Sequence, residues 1–191
     1  MTHSVPTSHF DALYAARPDP WNFADGAYEQ AKYDATMEAL GDRRFAAAFE
    51  VGCSIGVLTR RLAAQCDALL AVDVAAAALD QARARCADQN QVQIAQMRVP
   101  ADWPSSRFDL ILLSEVLYFL DENDLRATAN PALKSLRPAG LVLLVNWRGD
   151  TAAPFTGEAA AELFLQSCGD QLSPLLHRQE PGYRLDLLAR R

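Results

Sequence analysis

The sequence predicts an α/β fold built on a mainly parallel sheet with helices on both of its faces. From Phe45 onward, short apolar runs alternate with longer amphipathic segments, which is the pattern of repeated strand-helix units. Several runs are apolar at nearly every position, as expected of parallel strands that are buried on both faces. A turn with two glycines, residues 52–56, follows the first run, and open parallel sheets bind ligands at such strand ends.

Five segments have the composition of buried strands: 45–51, 68–74, 92–99, 108–116 and 140–147. Good helix formers between them predict helices over 57–66, 75–89 and 121–136. Asp121 is expected to cap the third of these helices, and Pro131 to kink or divide it. A further helix over 158–168 precedes two extended segments around Pro181-Gly182, which predicts a terminal hairpin.

The first forty-four residues do not follow the strand-helix pattern. Residues 17–23, RPDPWNF, form a proline-broken loop, and residues 28–40 have the composition of a helix. We expect residues 1–44 to form a helical cap on an α/β core of residues 45–191. With 191 residues, half of them hydrophobic, the whole chain best suits one domain, residues 1–191.

Charge and cysteine spacing exclude several classes of partner. The net charge of -6 and the absence of long Lys or Arg runs argue against nucleic acid. Four separated cysteines without a C-x-x-C pair, and only three histidines, give no support for a metal site. The amino-terminal residues lack a signal-peptide pattern, and no apolar run could cross a membrane. We therefore expect a soluble cytoplasmic protein in a reducing compartment, of an oligomeric state that the sequence does not reveal.

The glycine turn and the end of the second strand form one candidate ligand site. Gly52 can adopt backbone angles closed to other residues, and Gly56 lets the next helix pack closely. The spacing is not G-x-G-x-x-G, which disfavours a dinucleotide. Asp73 lies 17 residues beyond Gly56, where a carboxylate can accept two ribose hydroxyls. The alternative is that the glycines only make a tight turn and Asp73 only caps the next helix.

The pattern Glu50-x-Gly52-x-x-x-Gly56, with Asp73 after the second strand, resembles motif I and the ribose-binding position of class I S-adenosylmethionine-dependent methyltransferases. Longer segments are similar to the nodulation protein S family of N-methyltransferases: 9–23, 28–40, 49–63, 66–74, 99–104 and 108–120. Beyond Arg148 the similarity is weaker.

The resemblance implies a Rossmann-like, seven-stranded sheet whose last strand is inserted antiparallel. It also implies methyl transfer from S-adenosylmethionine, which leaves S-adenosylhomocysteine, to an amine of a small molecule. In the family, that amine belongs to an amino sugar at the deacetylated end of a chitooligosaccharide. No metal is required for this chemistry.

The resemblance also suggests which residues bind the cofactor. Asp73 would hold the ribose and Val74 would contact the adenine, while the turn would carry the methionine portion; its residues are Glu50, Gly52, Cys53, Ser54 and Gly56. We expect Cys53 to be a small packing residue, because direct methyl transfer needs no covalent intermediate. The usual acid after the third strand is missing, so backbone groups of Arg98 and Val99, or the side chain of Asp102, are candidates for the adenine amino group.

The fourth predicted strand ends at Ser114 and Glu115, near the expected position of the sulfonium. Glu115 is the candidate catalytic residue, because an amine attacks only when neutral and a carboxylate can accept its proton. Glu115 could instead cap the next helix or pair with a basic residue. Ser114 is assigned to the cofactor site, and the acceptor side would be lined by Tyr118, Trp147, Arg148 and Asp150.

Two residues of the amino-terminal cap are further candidates for the cofactor site. Trp21 would cover the methionine portion or the sulfonium, and Lys32 would meet the cofactor carboxylate. Alternatively, Trp21 packs on the sheet and Lys32 pairs with Glu29 at the surface.

Three functions remain open from the sequence. The first is an N-methyltransferase of a small molecule. The second is a methyltransferase that acts on an oxygen, a carbon or another acceptor and shares the cofactor half of the site. The third is a non-catalytic module that keeps the nucleotide-binding fold; intact Gly52, Gly56 and Asp73 argue against it.

Overall fold

A computed structural model describes residues 3–191 of the chain, which form a seven-stranded mixed sheet with helices. The strands are β1 (Ala48–Val51), β2 (Leu69–Asp73), β3 (Val92–Gln96), β4 (Phe108–Ser114), β5 (Leu136–Trp147), β6 (Leu172–Gln179) and β7 (Tyr183–Arg190). The helices are α1 (Thr7–Ala16), α2 (Ala27–Leu40), α3 (Val57–Ala63), α4 (Ala76–Arg85), α5 (Glu122–Ser135) and α6 (Gly157–Cys168). Short 3-10 turns cover Leu117–Phe119 and Gly169–Gln171.

The strand order of the sheet is β3-β2-β1-β4-β5-β7-β6. β1 pairs with β2, β2 with β3, and β4 with β5, all in parallel. β7 pairs antiparallel with both β5 and β6. The predicted α/β class, the terminal hairpin and the antiparallel insertion of the last strand are therefore confirmed.

Apolar composition decides which strands are central. Residues 110–113 of β4 and residues 142–145 of β5 are completely buried, as their uninterrupted hydrophobic sequences predict. No helix within residues 3–191 combines the length and the apolar character needed to span a bilayer.

The described chain forms two compact units. One consists of residues 6–97, with α1 to α4 and β1 to β3, and the other of residues 98–191 together with residues 3–5. The boundary between cap and core at residues 44 and 45, and the single domain over residues 1–191, stay predictions.

The start of α5 follows the predicted capping chemistry. Asp121 precedes α5, and its Oδ1 accepts the backbone N–H of Asp124 at 3.0 Å. Thr156 caps α6 in the same way through the N–H of Ala159. Pro131 does not divide α5, which continues as one helix of 14 residues. A proline costs a helix one hydrogen bond, and here the buried face of α5 retains the helical path around it.

The sequence patterns missed α1 and misplaced the start of β5. α1 has only one fully buried residue, Tyr14, so its sequence shows little apolar periodicity. β5 begins at Leu136, four residues before the predicted start, and contains Ala139 at φ 58°. A register shift between Phe108 and Leu110 accompanies this early segment. Such an irregular strand start has no period-two signal in the sequence.

Candidate functional site

The turn after β1 has the backbone that its glycines predict. Gly52 and Gly56 have φ values of 81° and 80°, and Ser54 also lies in the left-handed region at φ 49°. The backbone N–H groups of Gly52 and Cys53 both donate to the Val72 carbonyl, at 2.8 and 3.0 Å. The turn is thus fixed to the end of β2.

Gly56 allows α4 to approach the turn. A Cβ at this position would lie 2.9 Å from Cα and 3.0 Å from Cβ of Ala82 in α4. Since real side-chain carbons do not approach backbone atoms so closely, any other residue would push the helix away. The sequence-based role of Gly56 in close packing is supported.

Asp73 joins the turn to the end of β2. Its Oδ2 accepts the N–H of Ser54 at 2.9 Å, and its Oδ1 accepts the N–H of Ala75 at 3.0 Å. Burial raises the pKa of this carboxyl, and the backbone donors act in the opposite direction. Asp73 therefore forms a local turn with Ala75, the N-cap residue of α4, but its side chain does not cap that helix, so the helix-cap alternative for Asp73 is not realised. Each carboxylate oxygen has a second lone pair, so this bonding is compatible with ribose hydroxyls as further donors.

Glu50 is a buried acid on β1. The residue is 1% exposed, and its Oε2 has no hydrogen-bond partner among the described residues. Burial raises its pKa to about 7, and the negative charge of Asp73 adds to the rise. The nearby hydroxyl of Thr59 lowers the pKa of Glu50, although the two side chains do not form a hydrogen bond. An unsatisfied buried carboxyl beside the glycine turn has lost hydrogen bonding that a further polar partner would recover.

Cys53 has the environment of a packing residue. Its side chain lies in an apolar cluster with Ala71 and Leu79, against which Ile94 packs. Burial and the nearby acids Asp73 and Glu50 raise the pKa of the thiol well above its ordinary value. A thiol that stays protonated is a poor nucleophile, which supports the packing role.

The amino-terminal helix α1 reaches the turn through Tyr14, a residue for which the sequence predicted no role. The Tyr14 hydroxyl and the Ser54 hydroxyl form a short hydrogen bond. The Tyr14 ring packs with Ile55 at the turn and with Ala75 and Ala78 at the start of α4. Burial raises the pKa of Tyr14, so the phenol is neutral. A buried tyrosine before a proline-broken loop gave no signal specific enough to identify it.

Trp21 lies on an ordered loop rather than on the sheet. Its ring makes an edge contact with Tyr14 at 5.7 Å and a tilted contact with Phe23 at 5.5 Å between ring centroids. The Asp19 carboxylate accepts the N–H groups of Phe23 and Ala24, which fixes the loop. Trp21 remains 40% exposed, which suits a residue that covers a ligand.

Lys32 pairs with Glu29, but the pair is not at the surface as the alternative supposed. Lys32 is 2% exposed, and its Nζ lies 2.9 Å from Glu29 Oε2. The same ammonium lies over the Tyr28 ring at 5.3 Å from the centroid. The helical spacing of three and four residues brings these groups together.

The residues predicted to contact the adenine follow β2 and β3. The side chain of Val74 is half-buried, and its carbonyl accepts Gln96 Nε2 at 2.8 Å. In the other unit, the N–H of Arg98 donates to the Asp102 carboxylate, and the Arg98 carbonyl accepts the N–H of Asp102. These bonds join Arg98 and Asp102 within one turn and leave lone pairs on the Asp102 carboxylate and the Arg98 carbonyl, so the adenine assignment of this turn stays a prediction. Val99 is buried.

Glu115 has an unusual backbone conformation at the end of β4. It follows Ser114, its φ is 58°, and its N–H donates to the Val145 carbonyl on β5. Its Oε2 accepts the Tyr118 hydroxyl at 2.7 Å and the backbone N–H of Trp147 at 2.9 Å. The cap of α5 is made by Asp121 instead, so the helix-cap alternative for Glu115 is not realised. Two donors and a constrained backbone fix the direction of this carboxylate.

Of the remaining acceptor-side candidates, Arg148 is already engaged. Its Nε donates to Glu158 Oε2 at 3.2 Å, and its Nη1 donates to the Glu180 carbonyl at 2.8 Å. Asp150 lies exposed two residues further along the same loop. The structure thus brings Tyr118 and Trp147 to Glu115 and directs Arg148 toward α6.

Within residues 3–191, no three histidine, cysteine or acidic side chains are grouped so that they could hold a metal ion.

Comparison with known proteins gives a consistent family and fold. The model of the family described as Nodulation protein S (NodS) matches residues 12–182. Nodulation protein S of Bradyrhizobium diazoefficiens is 28% identical over 162 residues, which cover 84% of this chain and 78% of that protein.

Two solved structures have the same fold. A Pseudomonas syringae protein described as a methyltransferase is 35% identical, with a TM-score of 0.74, and the match covers 85% of this chain and 99% of that one. The N-methyltransferase NodS of Bradyrhizobium japonicum WM9, solved with S-adenosylhomocysteine, is 21% identical and has a TM-score of 0.81 over 96% and 98% of the two chains. The latter likeness shows the fold.

Proposed function

The chain belongs to the nodulation protein S family, a family of S-adenosylmethionine-dependent N-methyltransferases. From that premise we propose which acceptor it methylates and which of its residues take part. S-adenosylmethionine is the cofactor, and the acceptor we propose is the free amine of an amino sugar or of a deacetylated chitooligosaccharide. The observation that carries the acceptor proposal is the Glu115 carboxylate, held by the Tyr118 hydroxyl and the Trp147 amide.

The unit of residues 6–97 contains groups that suit the cofactor. The Asp73 carboxylate is oriented by two backbone donors and keeps lone pairs for the ribose. Glu50 offers an unsatisfied buried oxygen, and the left-handed backbone at Gly52 and Ser54 exposes the turn without large side chains. We propose that Trp21 covers the methionine portion, which its 40% exposure permits. We also propose that the Lys32 ammonium binds the carboxylate of the cofactor.

When bound, S-adenosylmethionine supplies an electrophilic methyl group on a positively charged sulfur. Glu115 acts on the other reactant: it accepts the proton of the ammonium form and so leaves the lone pair of the amine available for attack. Its hydrogen bonds to Tyr118 and Trp147 hold Oε2 in place, so little reorganisation is needed when the amine arrives. A negative carboxylate also attracts a cationic acceptor.

The test of the acceptor class compares sugars with a free amine and a sugar whose amines are acetylated. Methyl transfer from labelled S-adenosylmethionine is measured with glucosamine, with a fully deacetylated chitotetraose and with its fully acetylated form. We expect transfer to the deacetylated compounds alone, because acetylation removes the basic lone pair. Equal transfer to the acetylated form would point to a hydroxyl acceptor and contradict the proposal.

The test of Glu115 is its replacement by glutamine, which keeps the shape but removes the basic oxygen. We expect Glu115→Gln to lower kcat by about 10²- to 10⁴-fold, the usual contribution of a general base, with S-adenosylhomocysteine affinity within about twofold. The matched control is Glu122→Gln, since Glu122 is an exposed acid that pairs with Arg126 on α5. If turnover by Glu115→Gln equals that of the control, Glu115 has no catalytic role.

We also propose a cytoplasmic location. All four cysteines are free thiols, and each is buried, which is the usual state in a reducing compartment.

A further inference from the structure

A network of charged side chains joins the carboxyl-terminal hairpin to the start of α6. Its centre is Glu158, in the first turn of that helix. Oε1 of Glu158 accepts Gln179 Nε2 at 3.0 Å and Arg184 Nη1 at 3.1 Å, and Oε2 accepts Arg148 Nε at 3.2 Å. One carboxylate thus links β6, β7 and the residue that follows β5.

The network is anchored in the interior by Arg184. This residue is 7% exposed, and its Nε donates to Oδ2 of the buried Asp186 at 2.7 Å. Asp186 also binds His177 Nδ1 at 2.6 Å. Because buried charges keep fixed partners, Arg184 presents Nη1 to Glu158 in one defined position. Glu158 is therefore held more firmly than a surface acid with one mobile partner.

The same carboxylate closes a loop. Arg148 follows the end of β5 and Glu158 stands in the first turn of α6, so their ion pair fastens the two ends of residues 148–156. Packing reinforces this closure, since a Cβ at Gly157 would collide with the Trp147 carbonyl oxygen. The Arg148 N–H also donates to the Gly182 carbonyl in the hairpin turn.

Both ends of this loop connect to the proposed general base. At one end, the Trp147 N–H donates to Glu115 Oε2. At the other, the Phe155 N–H donates to the Tyr118 carbonyl at 3.4 Å, and the Tyr118 hydroxyl donates to Glu115. The position of residues 148–156 is thus coupled to the residues that orient the Glu115 carboxylate.

We propose that Glu158 is a positioning residue: it holds the loop of residues 148–156 closed and thereby sets the affinity for the amine acceptor. The proposal rests on the proposed function, because it takes Glu115 as the group that meets the amine. Glu158 itself touches neither reactant in this account. It acts through Arg148 at the start of the loop and through the amino terminus of α6 at its end.

The experiment compares Glu158→Ala with Glu162→Ala in the full chain. Glu162 lies one turn further along α6, also near Arg184 but at 3.7 Å, and it makes no bond to Arg148 among the contacts of the described chain. Trypsin cleavage after Arg148 reports loop opening without any need for activity, and steady-state kinetics with deacetylated chitotetraose reports acceptor affinity. Glu158→Gln serves as a second variant that keeps an acceptor oxygen for Arg184, and thermal unfolding establishes that every variant is folded.

We expect Glu158→Ala to be cut after Arg148 about tenfold faster than the parent, as local opening becomes less costly. We also expect its KM for the acceptor to rise about fivefold or more and its kcat to fall by a smaller factor, with S-adenosylhomocysteine affinity within about twofold. Glu158→Gln should show smaller changes in the same direction, and Glu162→Ala should behave like the parent.

Equal cleavage rates in Glu158→Ala and Glu162→Ala would overturn the proposal, and so would faster cleavage with an unchanged acceptor KM. A fall in kcat with an unchanged KM would also overturn it, because the affinity for the acceptor would then not depend on the closed loop. If the parent protein binds S-adenosylhomocysteine but methylates no amine, the proposed function fails. Titration with chitotetraose then decides the positioning role: no binding, or equal binding by both variants, overturns it.

Discussion

Asp73 performs two structural tasks at the turn after β1, independently of any ligand. Its oxygens accept the N–H groups of Ser54 and Ala75, so one carboxylate orders the turn and the start of α4. Burial raises its pKa, which means that part of the solvation of the charged form has been lost on folding. Additional donors from ribose hydroxyls would restore it.

Replacement of Asp73 by alanine is expected to weaken cofactor binding by about 1 to 3 kcal/mol, the cost of lost charge-assisted hydrogen bonds. Isothermal titration with S-adenosylhomocysteine measures this. The affinity of Asp73→Asn should fall between those of the parent and Asp73→Ala, since its amide oxygen still accepts one backbone N–H. Asp80→Asn is the control, because Asp80 is an exposed acid of α4 paired with Arg83. Unchanged affinity in Asp73→Ala would mean that the ribose binds elsewhere.

Glu50 gives a prediction for the pH dependence of stability. The folded pKa of about 7 lies above the unfolded value of 4.5, so the neutral form is favoured by folding. The stability associated with Glu50 is fully present below pH 4.5 and is lost as the pH rises through 7. The loss amounts to about 3 to 4 kcal/mol at most, at 1.36 kcal/mol for each pKa unit.

Glu50→Gln removes this titration while leaving Asp73 in place. We expect the stability of the ligand-free parent relative to Glu50→Gln to decline between pH 5 and pH 8, as measured by urea unfolding at each pH. Parallel stability curves for the two proteins would show that Glu50 ionises normally in the folded state.

The contact of the turn with α4 depends on a residue without a side chain. Gly56 requires both a left-handed backbone and space against Ala82. Gly169, which ends α6, also has a positive φ, 54°, but a Cβ added there would have no neighbour within 4 Å among the described residues. A side chain at Gly169 would therefore add only backbone strain, whereas a side chain at Gly56 would also press against α4.

Gly56→Ala is expected to destabilise the protein by about 2 to 4 kcal/mol, from left-handed strain and overpacking together. Gly169→Ala should cost about 1 to 3 kcal/mol from backbone strain alone, because its φ of 54° with ψ of -142° lies outside the left-handed helical region that Gly56 occupies. Urea unfolding of both variants gives the difference. A loss of only about 1 kcal/mol in Gly56→Ala, the left-handed strain by itself, would show that α4 moves away from the turn without cost.

For the whole molecule, the alternative of a non-catalytic module is decided by ligand binding. At 100 times its dissociation constant, S-adenosylhomocysteine should stabilise the folded protein by about 2.7 kcal/mol. For a chain of this size that corresponds to a rise in Tm of about 5 to 10 °C. NAD is the control, and the G-C-S-I-G spacing of the turn predicts no shift with it. No shift with S-adenosylhomocysteine, or an equal one with NAD, would contradict the cofactor assignment.

The sequence by itself determined the fold class through local signals, and its resemblance to a known family implied the cofactor. Apolar runs define the strands, and Gly52, Gly56 and Asp73 occupy fixed positions relative to the strand ends. The terminal hairpin was predicted from the same kind of signal, the turn dipeptide Pro181-Gly182 between two extended segments. The cofactor roles of individual residues stay predictions, which the titrations above test.

Only the tertiary structure decided which side chains meet. Tyr14 is 40 residues from Ser54, and Trp147 is 32 residues from Glu115, so no local pattern relates them. Arg148 is another example. The sequence predicted that it binds the acceptor, but in the structure its side chain binds Glu158. Hydrogen bonds between distant segments depend on how helices and strands pack, and packing is a property of the folded chain that sequence periodicity does not encode.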